Sequence, residues 1–142
     1  MRVLVTGAAG YIGSHFVRRL RRERPNFHIT AVDLDPTQND LAGWANEIVR
    51  SDICSGTTYG EQDAVVHFAA YISVEESVRR PSWYYNNNYL STLSLLHGYY
   101  HSFTRPPHFI FASTGTAFQP ENPYARSKVV CEDIVRALSS AY

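Results

Sequence analysis

Apolar residues recur along the chain in five short blocks, at positions 2–5, 29–33, 47–52, 64–69 and 108–113. The blocks are rich in Val, Ile, Phe or Ala and lack strict alternation with polar residues. That pattern predicts strands buried on both faces of a parallel sheet. Between the first two blocks, Ile12, Phe16, Val17 and Leu20 recur at helical spacing until Pro25 stops them. Pro81 suits the first position of a long helix, whose apolar stripe of Leu90, Leu93, Leu96 and Tyr100 runs to about Phe103. A third helix is predicted from Pro123 to the chain end, carrying Ile134, Val135 and Leu138. The stretch between Asp52 and Ala64 is too short and glycine-rich for a good crossover helix. Strand and helix alternate without repeats or linkers, so the expectation is one α/β domain over 1–142. It should be a Rossmann-type wound parallel sheet of about five strands with helices on both faces.

Composition narrows the function. Lys plus Arg equals Asp plus Glu, 13 of each, so the basic excess of a polyanion binder is missing. The arginines at 18, 19, 21, 22 and 24 crowd the end of the first predicted helix, where cations complement the helix dipole. No apolar run approaches membrane-spanning length, and a glycine turn cuts the N-terminal apolar run short of a signal peptide; a cytoplasmic protein is expected, with neither nucleic acid nor membrane as partner. Cys54 and Cys131 form no C-x-x-C pair and read as free thiols, although sequence alone leaves a disulfide open. His97 and His101 stand four apart with no evident third ligand, so no metal site is expected.

Two constellations carry chemistry. The first is Gly7-Ala8-Ala9-Gly10-Tyr11-Ile12-Gly13, placed after a strand and opening a helix. Gly7 allows the tight turn, Gly10 lets backbone approach a diphosphate, and Gly13 lets the helix lie close to the sheet. Amides at the helix start then face the phosphates. Asp33, twenty residues beyond Gly13, ends the second predicted strand where a carboxylate binds ribose hydroxyls. Asp33 and Asp35 would repel a 2′-phosphate, which favours NAD over NADP. The second constellation is Tyr124 and Lys128, four apart on the last helix and hence on one face. An ammonium beside a phenol favours the phenolate, which can take a proton from a substrate alcohol while hydride leaves its carbon. Thr114, just after the fifth strand, could hydrogen-bond the same oxygen.

With Ser51-Asp52-Ile53, His67-Phe68-Ala69-Ala70, Val74-Glu75-Glu76-Ser77-Val78, residues 81–88, Phe109-Ile110-Phe111 and Pro123-Tyr124-Ala125-Arg126-Ser127-Lys128, the ordered set is specific. The chain resembles the extended short-chain dehydrogenase/reductase family, and within it the UDP-glucose 4-epimerases of galactose metabolism. The likeness covers essentially the whole chain but only the N-terminal part of those enzymes, without their C-terminal substrate domain. It implies cofactor contacts from Tyr11 and Ile12 at the pyrophosphate, Asp33 at the adenosine ribose, and Asp52 and Ile53 at the adenine. Phe68, Ala69, Ala70 and Tyr71 would line the cofactor from the fourth strand, and Asn87 would reach it from the long helix. Thr114 and Tyr124 would act on a UDP-hexose, while Lys128 binds the nicotinamide ribose and tunes the tyrosine. The implied reaction oxidises the sugar at C4 and returns the hydride to its other face. The likeness also implies a homodimer through the helices at 81–103 and 123–142. The chain differs in a shorter loop from Thr114 to Tyr124 and in Ile72, where lysine is frequent. Gly115 and Thr116 follow Thr114 in place of the acidic pair of sugar-nucleotide dehydratases. Two readings stay open: an epimerase, or an NAD-binding module without catalysis.

Overall fold

The computed structural model describes residues 1–141, without the side chains of Ser140 and Ala141, so the predicted helix end at Tyr142 lies outside the described residues. Five strands, β1 (Arg2–Thr6), β2 (His28–Asp33), β3 (Glu47–Arg50), β4 (Ala64–His67) and β5 (His108–Phe111), form one sheet in the order β3-β2-β1-β4-β5. All four pairings are parallel, with Val5 beside Ala31 on one side and Val66 on the other. The helices are α1 (Tyr11–Glu23), α2 (Val74–Arg79), α3 (Pro81–Ser102) and α4 (Pro123–Ala141). β5 is an edge strand, and Ile110 on it is exposed.

Alternate residues of the strands feed two cores. Val3, Val5, Ile29, Ala31 and Val66 meet Val17 of α1 on one face. Leu4, Val32 and Val65 meet Leu95 and Tyr99 of α3 on the other. Helices therefore cover both faces, and each fully buried side chain of this kind contributes about 1.5–3 kcal/mol. Each of the last three strands ends before its apolar block does. The overrun residues Ser51, Asp52, Phe68, Ala69, Ala112 and Ser113 leave the sheet at its carboxyl edge and line the cleft described below.

The connection from β2 to β3 contains a 3₁₀ turn, Pro36–Gln38, and no α-helix. Leu41, Trp44 and Ala45 pack there against the α1-side core. The α1 arginines bolt this loop down. Arg18 donates to the Asp40 carbonyl, Arg21 donates to the Trp44, Pro25 and Phe27 carbonyls, and the Arg22 guanidinium lies 5.0 Å from the Trp44 ring centre. Arg18, Arg21 and Arg22 are thus structural, beyond their match to the helix dipole.

Two helical features differ from the sequence pattern. The buried side of α3 carries Tyr84, Asn88, Ser91, Thr92, Leu95, Leu96 and Tyr99, while Leu90 of the expected stripe is 43% exposed. Polar residues take the inward positions because they find partners there. Asn88 pairs with the Tyr71 backbone through both its amide groups and donates to Ser127 Oγ at 2.9 Å. The short helix α2 has no apolar period, but Ser73 three residues before Glu76 is a capping-box signal, and Ser73 Oγ accepts the Glu76 amide at 3.2 Å. Cys54 and Cys131 are free cysteines. No helix among the described residues is long and apolar enough to cross a membrane.

Candidate functional site

A cleft of about 470 Å³ opens at the carboxyl ends of the strands, beside the β1–β4 junction where strand order reverses. Open α/β sheets offer ligands a crevice at this point. The glycine turn forms its floor. Gly7 has φ +64°, and a Cβ there would stand 2.6 Å from the Ala69 amide nitrogen. A Cβ on Gly13 would stand 2.1 Å from the Gly7 carbonyl oxygen, so α1 can start this close to β1 only without one. Gly10 caps α1 with no side-chain hydrogen bond, which leaves the first amides of the helix for a ligand. Tyr11 and Ile12 are exposed at the lip.

Asp33 closes one end. Its Oδ2 accepts the Ala9 amide at 2.8 Å and its Oδ1 accepts the Asp35 amide at 3.0 Å, so the carboxylate is fixed on backbone with lone pairs left towards the cleft. Asn39 adds a bond from Nδ2 to the Ala9 carbonyl at 2.6 Å. Asp52 Oδ1 accepts the Cys54 amide at 2.9 Å and caps the 3₁₀ turn Ile53–Ser55, presenting Ile53 to both core and cleft. The other wall is Phe68, Ala69, Ala70 and Tyr71 with Asn87 from α3. Asn88, absent from the sequence-based set, holds Tyr71 in place. Its signal was its neighbourhood, a run of three asparagines flanked by the aromatic residues Trp83, Tyr84, Tyr85 and Tyr89.

At the far end stand Tyr124, in the first turn of α4, and Lys128 one turn on. Lys128 is 3% exposed, with its ammonium 4.3 Å from the Phe111 ring centre. Burial pulls its pKa down from 10.5 to about 8, against the raising influence of Cys131 and Glu132. Among the cleft-lining residues, Ser113 was missed by the sequence reading; its hydroxyl donates to the Glu132 carboxylate. Thr114 is the one predicted residue outside the lining. It caps the 3₁₀ turn Gly115–Phe118, its Oγ1 accepting the Thr116 amide at 3.4 Å. Cys54 offers no nucleophile: burial first, then Asp52, pushes its thiol up to about 11.

Behind the cleft lies a buried hydrogen-bonded chain. Thr92 Oγ1 donates to the Asn88 carbonyl and therefore accepts from His67 Nε2 at 3.1 Å. That leaves Nδ1 as the acceptor of the Thr6 hydroxyl at 2.6 Å, and Thr6 Oγ1 faces the Ala69 amide at 3.5 Å. The neutral Nε2–H tautomer of His67 thus links β1, β4 and α3 directly beneath the cleft wall.

Comparison with known proteins agrees with this geometry. The model of the NAD dependent epimerase/dehydratase family matches residues 3–142. A UDP-glucose 4-epimerase of Lactobacillus helveticus is 35% identical over 95% of this chain and 46% of its own length. A dTDP-glucose 4,6-dehydratase of Mycolicibacterium smegmatis is 31% identical over all of this chain and half of its own. The structure of UDP-glucose 4-epimerase from Bifidobacterium longum in complex with NAD+ and UDP superposes with a TM-score of 0.84 and 29% identity, over 99% of this chain and 50% of that one. The chain spans about half the length of the curated relatives it matches. With its wound five-stranded sheet, its glycine turn and a match of this extent, the chain belongs to the NAD dependent epimerase/dehydratase family.

Proposed function

We propose that this chain binds NAD in the cleft and serves sugar-nucleotide epimerisation of the UDP-glucose 4-epimerase type, with a UDP-hexose as substrate. The observation that carries the reading is the meeting, in one cleft, of a Cβ-intolerant glycine cradle at one end and Tyr124 with a buried Lys128 at the other. The residues fit a dinucleotide: free α1 amides for the diphosphate, Asp33 for the adenosine ribose, Asp52 and Ile53 beside the adenine, and Lys128 for the second ribose. When bound, NAD supplies the hydride acceptor. Tyr124 takes the proton of the sugar C4 hydroxyl, and the Lys128 ammonium favours the phenolate that receives it. Ser113 has committed its proton to Glu132, so Thr114 is the hydroxyl left to turn from Thr116 towards the sugar oxygen. The test is conversion of UDP-galactose to UDP-glucose in a coupled assay, which should vanish in Tyr124→Phe while NAD binding persists.

A second reading, NAD binding without turnover, is favoured by the position of Thr114 outside the cleft lining. Binding heat with NAD but no turnover in wild type would select it. Self-association is proposed through α3 and α4, where Trp83, Tyr89, Leu90 and Val130 are exposed. Only monomer in light scattering at high concentration would count against that.

A further inference from the structure

Lys128 is the only lysine in the sequence. Its ammonium is buried, rests on Phe111, and has no hydrogen bond or ion pair among the described residues. A buried cation without compensation is costly, so what faces it decides its charge. The titratable groups acting on it are His67 of β4, held neutral by its burial, and Cys131 and Glu132 of α4; Tyr124 shares its helix face. Glu132 is the one carboxylate in this set.

Glu132 stands one helical turn beyond Lys128, in line with Tyr124 and Lys128 along α4. One carboxylate oxygen accepts the Ser113 hydroxyl at the end of β5, and the other accepts Arg136 at 2.7 Å. Its side chain is 22% exposed and that of Arg136 is 68% exposed. The bond from Ser113 first, then Arg136, holds the Glu132 carboxyl below its usual range and keeps it ionised.

We propose that Glu132 is a positioning residue for the Tyr124–Lys128 pair: its carboxylate supplies the counter-charge the buried ammonium lacks, while its bond to Ser113 ties α4 to the strand end that carries Thr114. The assignment rests on the epimerase-type reading for its significance, but its electrostatic content is testable without ligand. Arg136 draws the carboxylate outward and competes for its charge, so Lys128 stays only partly compensated.

Because there is one lysine, ¹³C-lysine labelling gives one side-chain Cε signal, whose titration can be followed by NMR on the ligand-free full chain. Glu132→Gln keeps an acceptor for Ser113 but removes the charge. It should lower the ammonium-to-amine ratio of Lys128 at fixed pH about three- to ten-fold. Arg136→Ala, an exposed change that leaves the Ser113 bond intact, should raise that ratio. An unchanged midpoint in Glu132→Gln, or a shift in the same direction in both variants, overturns the proposal. Should Glu132→Gln not fold, Glu132→Asp decides: the shorter side chain keeps the charge but withdraws it from the ammonium, so a lower ratio supports the counter-charge and an unchanged or higher ratio refutes it. Failure of wild type to bind NAD would sink the cofactor reading and leave this titration standing.

Discussion

His67 makes the fold acid-sensitive in a calculable way. Its ring is fully buried between Thr6 and Thr92, and burial first, then the Lys128 charge, pulls its pKa from 6.5 to about 3. Below pH 6.5 the unfolded chain takes up a proton that the folded chain refuses. A depressed base of this kind contributes stability that is complete above 6.5 and is lost as pH falls towards 3. The loss is about 1.4 kcal/mol per pH unit, hence about 2 kcal/mol by pH 5. Against a total of about 5–15 kcal/mol for a domain, that is a large fraction. Urea melts followed by fluorescence of Trp44 and Trp83 should show it. His67→Gln isolates the effect, because an amide can accept from Thr6 and donate to Thr92 but does not titrate. Between pH 7 and pH 5 wild type should lose about 2 kcal/mol more than the variant. Parallel loss in the two proteins would refute the reasoning, as would a folded-state His67 NMR signal titrating near 6.5.

Three further outcomes are expected. Lys128→Met should stabilise the ligand-free fold by about 3 kcal/mol at pH 7, the penalty of a shift of about 2.5 pH units. A base depressed to about 8 carries its full burial penalty below that pH, so the advantage should fade as pH rises towards 10.5. Urea midpoints at pH 7 and pH 10 check both statements. Gly13→Ala sets a helix-propensity gain of about 1 kcal/mol against a Cβ 2.1 Å from the Gly7 carbonyl. Overpacking of about 1–3 kcal/mol or more should win, so a lower urea midpoint is expected and a higher one would show that α1 shifts freely. Asp33→Asn should weaken NAD binding about ten- to a hundred-fold in calorimetry, since the fixed carboxylate would lose acceptor strength towards both the Ala9 amide and the ribose.

The fold was legible because buried parallel strands and the first and last helices are written in apolar periodicity. What eluded the sequence reading is polar. Leu96 of the expected stripe is buried on the inward side of α3, but Leu90 is not, and Asn88 and Thr92 share that side because hydrogen bonds to Tyr71, Ser127 and His67 offset their desolvation. Periodicity counts hydrophobicity and cannot register a partner seventeen or more residues away. The expected residues of the glycine turn, together with Asp33, Asp52, Ile53, Phe68 to Tyr71, Asn87, Tyr124 and Lys128, all line the cleft, whereas Leu34, Gln38, Ser91 and Ala112 line it without having been expected. Thr114 and Ser113 exchanged expected places, since which of two adjacent residues turns inward at a strand end depends on the turn that follows, here the one Thr114 itself caps.

Among the described residues β5 has no strand on its outer side, and Ile110 stands exposed on it. Such a margin is adhesive, ready to take up another extended segment, from the same polypeptide or from a stranger. Arg105, Pro106 and Pro107 immediately upstream act as gatekeepers, since a proline cannot donate to an incoming ladder. The stickiness is thereby confined to a few residues, next to the seam where Ser113 and Glu132 meet. Whatever settles on that border would stiffen the corner where Thr114 caps the turn Gly115–Phe118.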